Sequence, residues 1–289
     1  MELQTECLSC NVQQVLKVTK NITISKDKQK EIMSSVLSFL SQVDYQLCNP
    51  EVMKLTWDII CDYTSNEDPY KEIKERYNLE MLKLYDTLYK IIENSKNPFS
   101  TAMKMAILGN IIDFSANHGT PITKIKELLF NAENTELSIN HSTQLQIQLL
   151  KAKTVVYIGD NCGEIVLDKL FIATMKKLYS CKVYYVVRQK PIINDVTIKD
   201  ANMVEMEEVA TVLSSGDSSL GLVLHHASKE FQALFHQADV IIAKGQGNFE
   251  GLQEIKKKNM FHLFMVKCEV MERIINTKKE NIVCLHKGD

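Results

Sequence analysis

Glycine is scarce in the first half of this chain. Only Gly109 and Gly119 precede residue 150, and the other eight glycines follow it. A stretch with so few breakers has little means of turning sharply, so long helices are expected there rather than short strands on tight turns. A basic surplus is missing too: 34 Lys and Arg stand against 36 Asp and Glu, a net charge of -2. Nothing in that balance neutralises a phosphate backbone, which excludes nucleic acid as the main partner. No apolar run is long enough to span a bilayer, and "MELQTECLSCNVQQ" lacks the basic-then-apolar layout of a secretory signal. The eight cysteines are scattered through apolar or helical stretches, the pattern of reduced thiols rather than of a disulfide framework. These absences predict a cytoplasmic protein without a membrane partner.

What is present is an ordinary globular balance, 45% hydrophobic and 24% charged over 289 residues, enough to bury a sizeable core. In residues 28–45, Ile32, Val36, Phe39, Leu40 and Val43 recur three and four apart, the spacing of one helix face. Residues 72–94 read as one long helix, and 99–117 and 122–131 as further ones. Pro50, Pro69, Pro98 and Pro121 sit near helix starts, where a missing N–H costs little. After residue 150 the period changes. "KTVVYIG", "KVYYVV", "VATVL", "DVIIAKG", "HLFMVK" and "NIVCL" are strand-like runs, and helical spacing returns between several of them, as in 165–179 and 229–237. The alternation predicts an α/β fold: a helical N-terminal region (1–145) packed on a Rossmann-like, mainly parallel α/β/α sheet domain (146–289).

In such sheets ligands bind beyond the carboxyl ends of the strands. The tails there are "GDNCGE", "RQKPIINDVTIKDA", "SSGDSSLG" and "KGQGNFEG". Asp160, Asn161 and Asp195 offer hard oxygen donors, which suit magnesium or manganese better than zinc. Lys244 offers a compact positive charge, and Gly245 and Gly247 allow backbone N–H groups to approach an anion. A divalent cation opposite a lysine is a clamp for a phosphoryl group. Each tail also has a plainer reading as a helix cap or turn. Asp200 in particular fits the first turn of a helix beginning near Ile198. The coincidence of several such clusters on one sheet edge favours the oxygen-lined site.

The motifs "GDNCGE", "INDVTIKDA" and "KGQGNFE", in this order and spacing, resemble those of the metal-dependent damage-control phosphatases, once called domain of unknown function 89. "CLSC" at Cys7 to Cys10 is similar to the paired cysteines of a mostly prokaryotic branch, and "GNIIDF" from Gly109 to Phe114 resembles its helical signature. The resemblance implies a divalent metal (manganese, magnesium, cobalt or nickel) and hydrolysis of phosphate esters of small metabolites, such as sugar phosphates or damaged cofactor intermediates. It further implies that Asp160, Asn161 and Asp195 ligate the metal, with Asp160 or Asp195 as the water-orienting base. Lys244 then contacts the substrate phosphate, with Gly245, Glu164 and Asn248 as further substrate-binding positions. Asn110 and Asp113 either support the site or form a buried polar pair joining the two halves.

Two rivals remain at this level: a Rossmann-type carboxyl methyltransferase and a non-catalytic metal-binding or interaction module. The first lacks its glycine-rich loop after the opening strand, where "GDNCGE" stands instead. Cys7 and Cys10 lack the second pair of a zinc site and read as packing residues. His225 and His226 are expected to point apart, as neighbours on a helix do.

Overall fold

Pro50, Pro69 and Pro98 lie at or just before helix starts, as expected. Pro50 lies in the first turn of its helix, and Pro98 opens another whose first turn is capped by Asn97, accepting from the Ser100 N–H at 3.0 Å. The computed structural model of the chain describes residues 1–22, 24–111, 122–257 and 259–286. Its first half is helical: α1 (Thr5–Asn21), α2 (Lys26–Leu40), α3 (Asn49–Thr64), α4 (Lys71–Leu82), α5 (Tyr85–Asn94), α6 (Pro98–Leu108) and α7 (Ile122–Phe130). The second half alternates: β1 (Ile139–Asn140), α8 (Ser142–Leu149), β2 (Thr154–Ile158), α9 (Glu164–Leu178), β3 (Lys182–Val187), α10 (Ile198–Met203), β4 (Thr211–Ser214), α11 (Lys229–Gln237), β5 (Val240–Lys244), α12 (Gly245–Leu252), β6 (Met260–Met265), α13 (Glu269–Ile275) and β7 (Ile282–His286).

Two helices differ from expectation. The segment 72–94 is broken at Lys83 and Leu84, where the Leu84 N–H bonds back to Met81 O at 3.0 Å, a tightened turn that needs neither proline nor glycine. The helix from Phe99 stops at Leu108 and passes into a 3₁₀ turn, Gly109–Ile111. Asp113 and Pro121 lie outside the described residues.

The strands form one sheet in the order β1-β7-β6-β5-β2-β3-β4, parallel throughout except that β7 runs antiparallel to β6. The chain winds outward from β2 to β3 and β4, then returns to place β5 on the other side of β2. The carboxyl ends of β2 and β5 therefore flank a topological switch point, where two connections diverge and leave a crevice.

The period-two alternation of side chains divides the core. Val155, Tyr157, Val240 and Ile242 join a cluster with Val36, Trp57, Phe99 and Leu108 of the helical half and Phe171 of α9. Val156, Ile158, Ile241 and Ala243 face the other way, onto Phe231 and Phe235 of α11. One apolar core thus crosses the sequence boundary near residue 145. The helical half covers one face of the sheet.

Candidate active site

The four polar tails do not spread along the sheet edge; two of them meet at the switch point. Ile158 of β2 is in register with Ala243 of β5, which brings Asp160 level with Gly245. The approach is close enough that a Cβ on Gly245 would lie 1.9 Å from Asp160 Oδ2, and its φ of +75° is one that glycine adopts without strain. The second tail folds over the first: Asn161 and Asp195 pair as an antiparallel bridge, and the Val196 N–H bonds Asp160 O at 2.9 Å. The third, "SSGDSSLG", closes the ring, with the Gly221 N–H donating to Asp195 Oδ2 at 3.3 Å.

Asp160, Asn161 and Asp195 are consequently gathered in one buried place, exposed by 6%, 5% and 1%. The Asn161 amide nitrogen donates to Asp160 Oδ2 and to Glu164 Oε2 at 2.9 Å, leaving its oxygen as the atom it offers a cation. Asn110, at the end of the helical half, donates to the same two oxygens at 2.8 and 3.1 Å. Arg188, at the tip of β3, holds Asp195 Oδ2 through Nε at 2.7 Å and Asn248 Oδ1 through Nη2 at 2.8 Å. Asp195 Oδ1 and Arg188 Nη1 are buried without a partner, which is the condition of atoms waiting for a ligand.

Electrostatics point the same way. Four buried acids, Asp160, Glu164, Asp168 and Asp195, stand against the buried Arg188 and Lys244 and the half-buried Lys267, whose charge acts on Asp160 and Asp195. Burial, followed by the Glu164 and Asp195 charges, pushes the Asp160 carboxyl well above the usual range. Burial also raises Asp195, against the pull of Arg188. Carboxylates that repel one another at the end of a strand, with oxygen as the only donor atom, fit a hard divalent cation. The acids alone do not bring one oxygen apiece within 4.8 Å of one another. The Asn161 amide oxygen is a further hard donor beside them, of the kind magnesium and manganese take.

Lys244 differs from expectation. It does not face the acids across an open gap; it is fully buried, and its three protons go to Ala106 O at 2.9 Å, Glu164 Oε1 at 2.5 Å and Asp168 Oδ1 at 2.7 Å. Burial draws its pKa down, but Asp168 and Glu164 together outweigh that and raise it. Glu164 and Asn248, expected against substrate, are likewise engaged by protein: Asn248 accepts from Arg188 and from the Leu222 N–H at 2.7 Å, and donates to Gly159 O and Lys244 O. These three frame the site. A low-dielectric interior is the reason, since a charged or amide group left unpaired there is costly.

Sequence reasoning missed three members of this frame. Asp168, one α-helical turn into α9, accepts Lys244 and the hydroxyls of Tyr157 at 2.6 Å and Tyr185 at 3.0 Å. Asn78 of α4 accepts the Gly163 N–H at 2.6 Å and so ties the helical half to the "GDNCGE" loop. Arg188 follows directly on Val187 at the ligand edge, so the strand-end rule that selected Asp160 also applies to it. Asp200 takes the capping role expected of it, accepting from Thr197 N–H and Oγ1 at 2.9 and 2.7 Å. Cys7 is buried and Cys10 exposed, both thiols are unpaired, and burial pushes Cys7 up to about 12. His225 and His226 do not point apart: both Nε2 atoms reach Glu51 Oε1, at 3.3 and 3.4 Å. They stand in a three-residue 3₁₀ turn, Leu224–His226, rather than on an α-helix face.

A cavity of about 340 Å³ lies beside the centre, lined by Lys74, Gln189, Pro191, Thr197, Lys199 and Asp200 among others. Its walls include none of Asp160, Asn161, Asp195 or Lys244. No described helix is long and apolar enough to cross a membrane.

A doubly wound α/β sheet with an acidic, amide-lined centre at its switch point defines a Rossmann-like ligand-binding protein. The comparisons narrow the class. Residues 3–283 match the model of the damage-control phosphatase ARMT1-like domain, and the chain belongs to this family. It is 32% identical to the damage-control phosphatase PH1575 of Pyrococcus horikoshii over 286 residues, covering 99% of this chain and 98% of the other. It is 29% identical to a damage-control phosphatase of Archaeoglobus fulgidus, covering 98% of each. A crystal structure of a DUF89 family protein from Pyrococcus horikoshii superposes with a TM-score of 0.88 at 31% identity, covering 99% of each chain. Phosphatase is thus the enzyme class that the family supports.

Proposed function

We propose that this protein is a divalent-metal-dependent phosphomonoester hydrolase acting on small phosphorylated metabolites, sugar phosphates or damaged cofactor intermediates, in the cytoplasm. The observation that carries the reading is the buried Asp195 Oδ1, an acceptor with no partner inside a cluster of buried acids. Asp160, Asn161 and Asp195 would hold the cation, manganese, magnesium, cobalt or nickel. When bound, it supplies Lewis-acid polarisation of the phosphoryl oxygens and lowers the pKa of a bound water.

The chain's own residues do the rest. Asn110 and Asn161 orient Asp160 by donating to Oδ2, which leaves its other oxygen to orient a nucleophilic water as general base; Asp195 is the alternative base. Arg188 fixes Asp195 and offers Nη1 as a donor for a phosphoryl oxygen. Lys244 acts through its charge, held by Glu164 and Asp168 beside the Asp160 cluster. Gly245 is the position where backbone and phosphate can approach closely. In this division residues 1–145 shape the substrate pocket and 146–289 carry the metal and phosphate groups.

The acids at the end of β2 also disfavour the methyltransferase reading, because a donor loop there would have to be glycine-rich. Turnover of p-nitrophenyl phosphate and a panel of metabolite phosphates by stripped protein, with and without each ion, tests the proposal. Metal-restored hydrolysis that Asp160→Ala removes is expected; no turnover of any ester with any ion would favour a non-catalytic module.

A further inference from the structure

The pair His225 and His226 belongs to no part of the centre just described, and its geometry is unlike that of a hydrogen bond. Both imidazole Nε2 atoms converge on one oxygen, Glu51 Oε1, at 3.3 and 3.4 Å. A charge-assisted contact between an imidazolium and a carboxylate closes to about 2.7–2.9 Å. Two atoms that each bind a tetrahedral zinc ion at about 2.0–2.1 Å lie roughly 3.3–3.4 Å apart, the separation seen here. The three ligand atoms fall within 4.8 Å of one another, and this is the one group of three or more His, Cys, Asp or Glu side chains so gathered among the described residues.

The surroundings are those of a built site. The rings meet edge to face, 4.2 Å apart at 69°, with both Nε2 atoms turned to the same carboxylate oxygen. Glu51 is buried, and its second oxygen, Oε2, accepts the Cys48 N–H at 2.8 Å in the cap of α3. That bond fixes the carboxylate plane and leaves Oε1 facing the histidines, the orienting contact that metal-binding carboxylates commonly have. His225 and His226 are open to solvent, which gives an ion an entry path and leaves a coordination position for water.

We infer that Glu51, His225 and His226 form a second metal site, for a divalent ion of the zinc class, which clamps the loop between β4 and α11 onto α3. The nitrogen-rich donor set separates it from the all-oxygen centre at Asp160. The loop it pins is the one whose Gly221 and Leu222 N–H groups hold Asp195 Oδ2 and Asn248 Oδ1. Metal at the rim therefore steadies the frame of the active centre without touching it. The inference does not depend on the phosphatase reading.

Cobalt(II) titration followed by visible absorption tests it, with zinc competition against a chromogenic chelator giving the stoichiometry. Wild-type full-length protein should show intense d–d bands of a low-coordinate nitrogen-ligated ion. His225→Ala, His226→Ala and Glu51→Gln should each lose them and bind about one zinc equivalent fewer. Asp160→Asn should keep the bands, which separates this site from the oxygen centre. Melting curves in chelator, unchanged for His225→Ala, show that the fold survives. Bands and zinc stoichiometry unaltered in both histidine variants, or no such bands in the wild type, would overturn the inference.

Discussion

The Arg188 guanidinium holds one oxygen of Asp195 at 2.7 Å and leaves the other, Oδ1, buried without a partner. The same guanidinium reaches Asn248 through a second nitrogen, so two strand ends are braced by one planar group. A lysine at 188 offers a point charge and cannot serve both partners in that fork. Arg188→Lys should lower manganese affinity or metal-supported turnover about 10- to 100-fold, with little change in melting temperature. Calorimetric titration with manganese checks this; an unchanged affinity and an unchanged kcat/KM would refute the bracing role.

Gly245 is the narrowest point of the switch. A methyl group there meets the Asp160 carboxylate at 1.9 Å and must adopt a φ of +75°. Gly245→Ala should displace Asp160 and cut kcat by about 100-fold, the typical cost of misplacing a reacting group. Steady-state kinetics with saturating manganese checks this, and a wild-type kcat in Gly245→Ala would refute it.

Lys244 and Asp168 form a fully buried pair at 2.7 Å. Lys244→Met strands Asp168 and Glu164 as unpaired charges and should cost about 3–5 kcal/mol in urea unfolding. Adding Asp168→Asn should cost less than the sum of the two single changes, because the second removes a charge that the first left alone. Strict additivity would mean the pair does not act as one unit.

The Asp168 carboxyl is raised from 3.8 to about 6, by burial acting against the Lys244 ammonium. Between those values the folded protein keeps a proton there that the unfolded chain has lost. Stability from this group is therefore present at the acid end of the window, falls as pH rises to about 6, and is level above it. Measured without metal, wild-type stability relative to Asp168→Asn should drop between about pH 4 and 6 and stay flat from there to about pH 8. A rise over the acid interval would contradict the raised carboxyl.

Much of the fold could be read from the sequence because strands buried on both faces, such as Val240 to Lys244, must be continuous apolar runs. The break at Lys83 and Leu84 could not, since both residues keep helical dihedrals and the apolar stripe through Met81, Leu84 and Leu88 continues across it. β1 is two residues long and pairs only with β7, too short to carry a pattern. In the site, Asp160 and Asn161 stood out because polar residues directly after a buried strand have few other reasons to be there. Asp168 did not, because one acid inside a helix reads as solvated until α9 is seen buried on nearly every side with Lys244 opposite it. The histidine pair was misjudged by applying α-helix geometry to a 3₁₀ turn.

The most direct measurement is anomalous scattering from crystals of this protein grown with manganese. A peak about 2.0–2.6 Å from oxygens of Asp160, Asn161 and Asp195 is predicted, with Lys244 still bonded to Glu164 and Asp168. A manganese ion bound elsewhere, with those three side chains unliganded, would contradict the account.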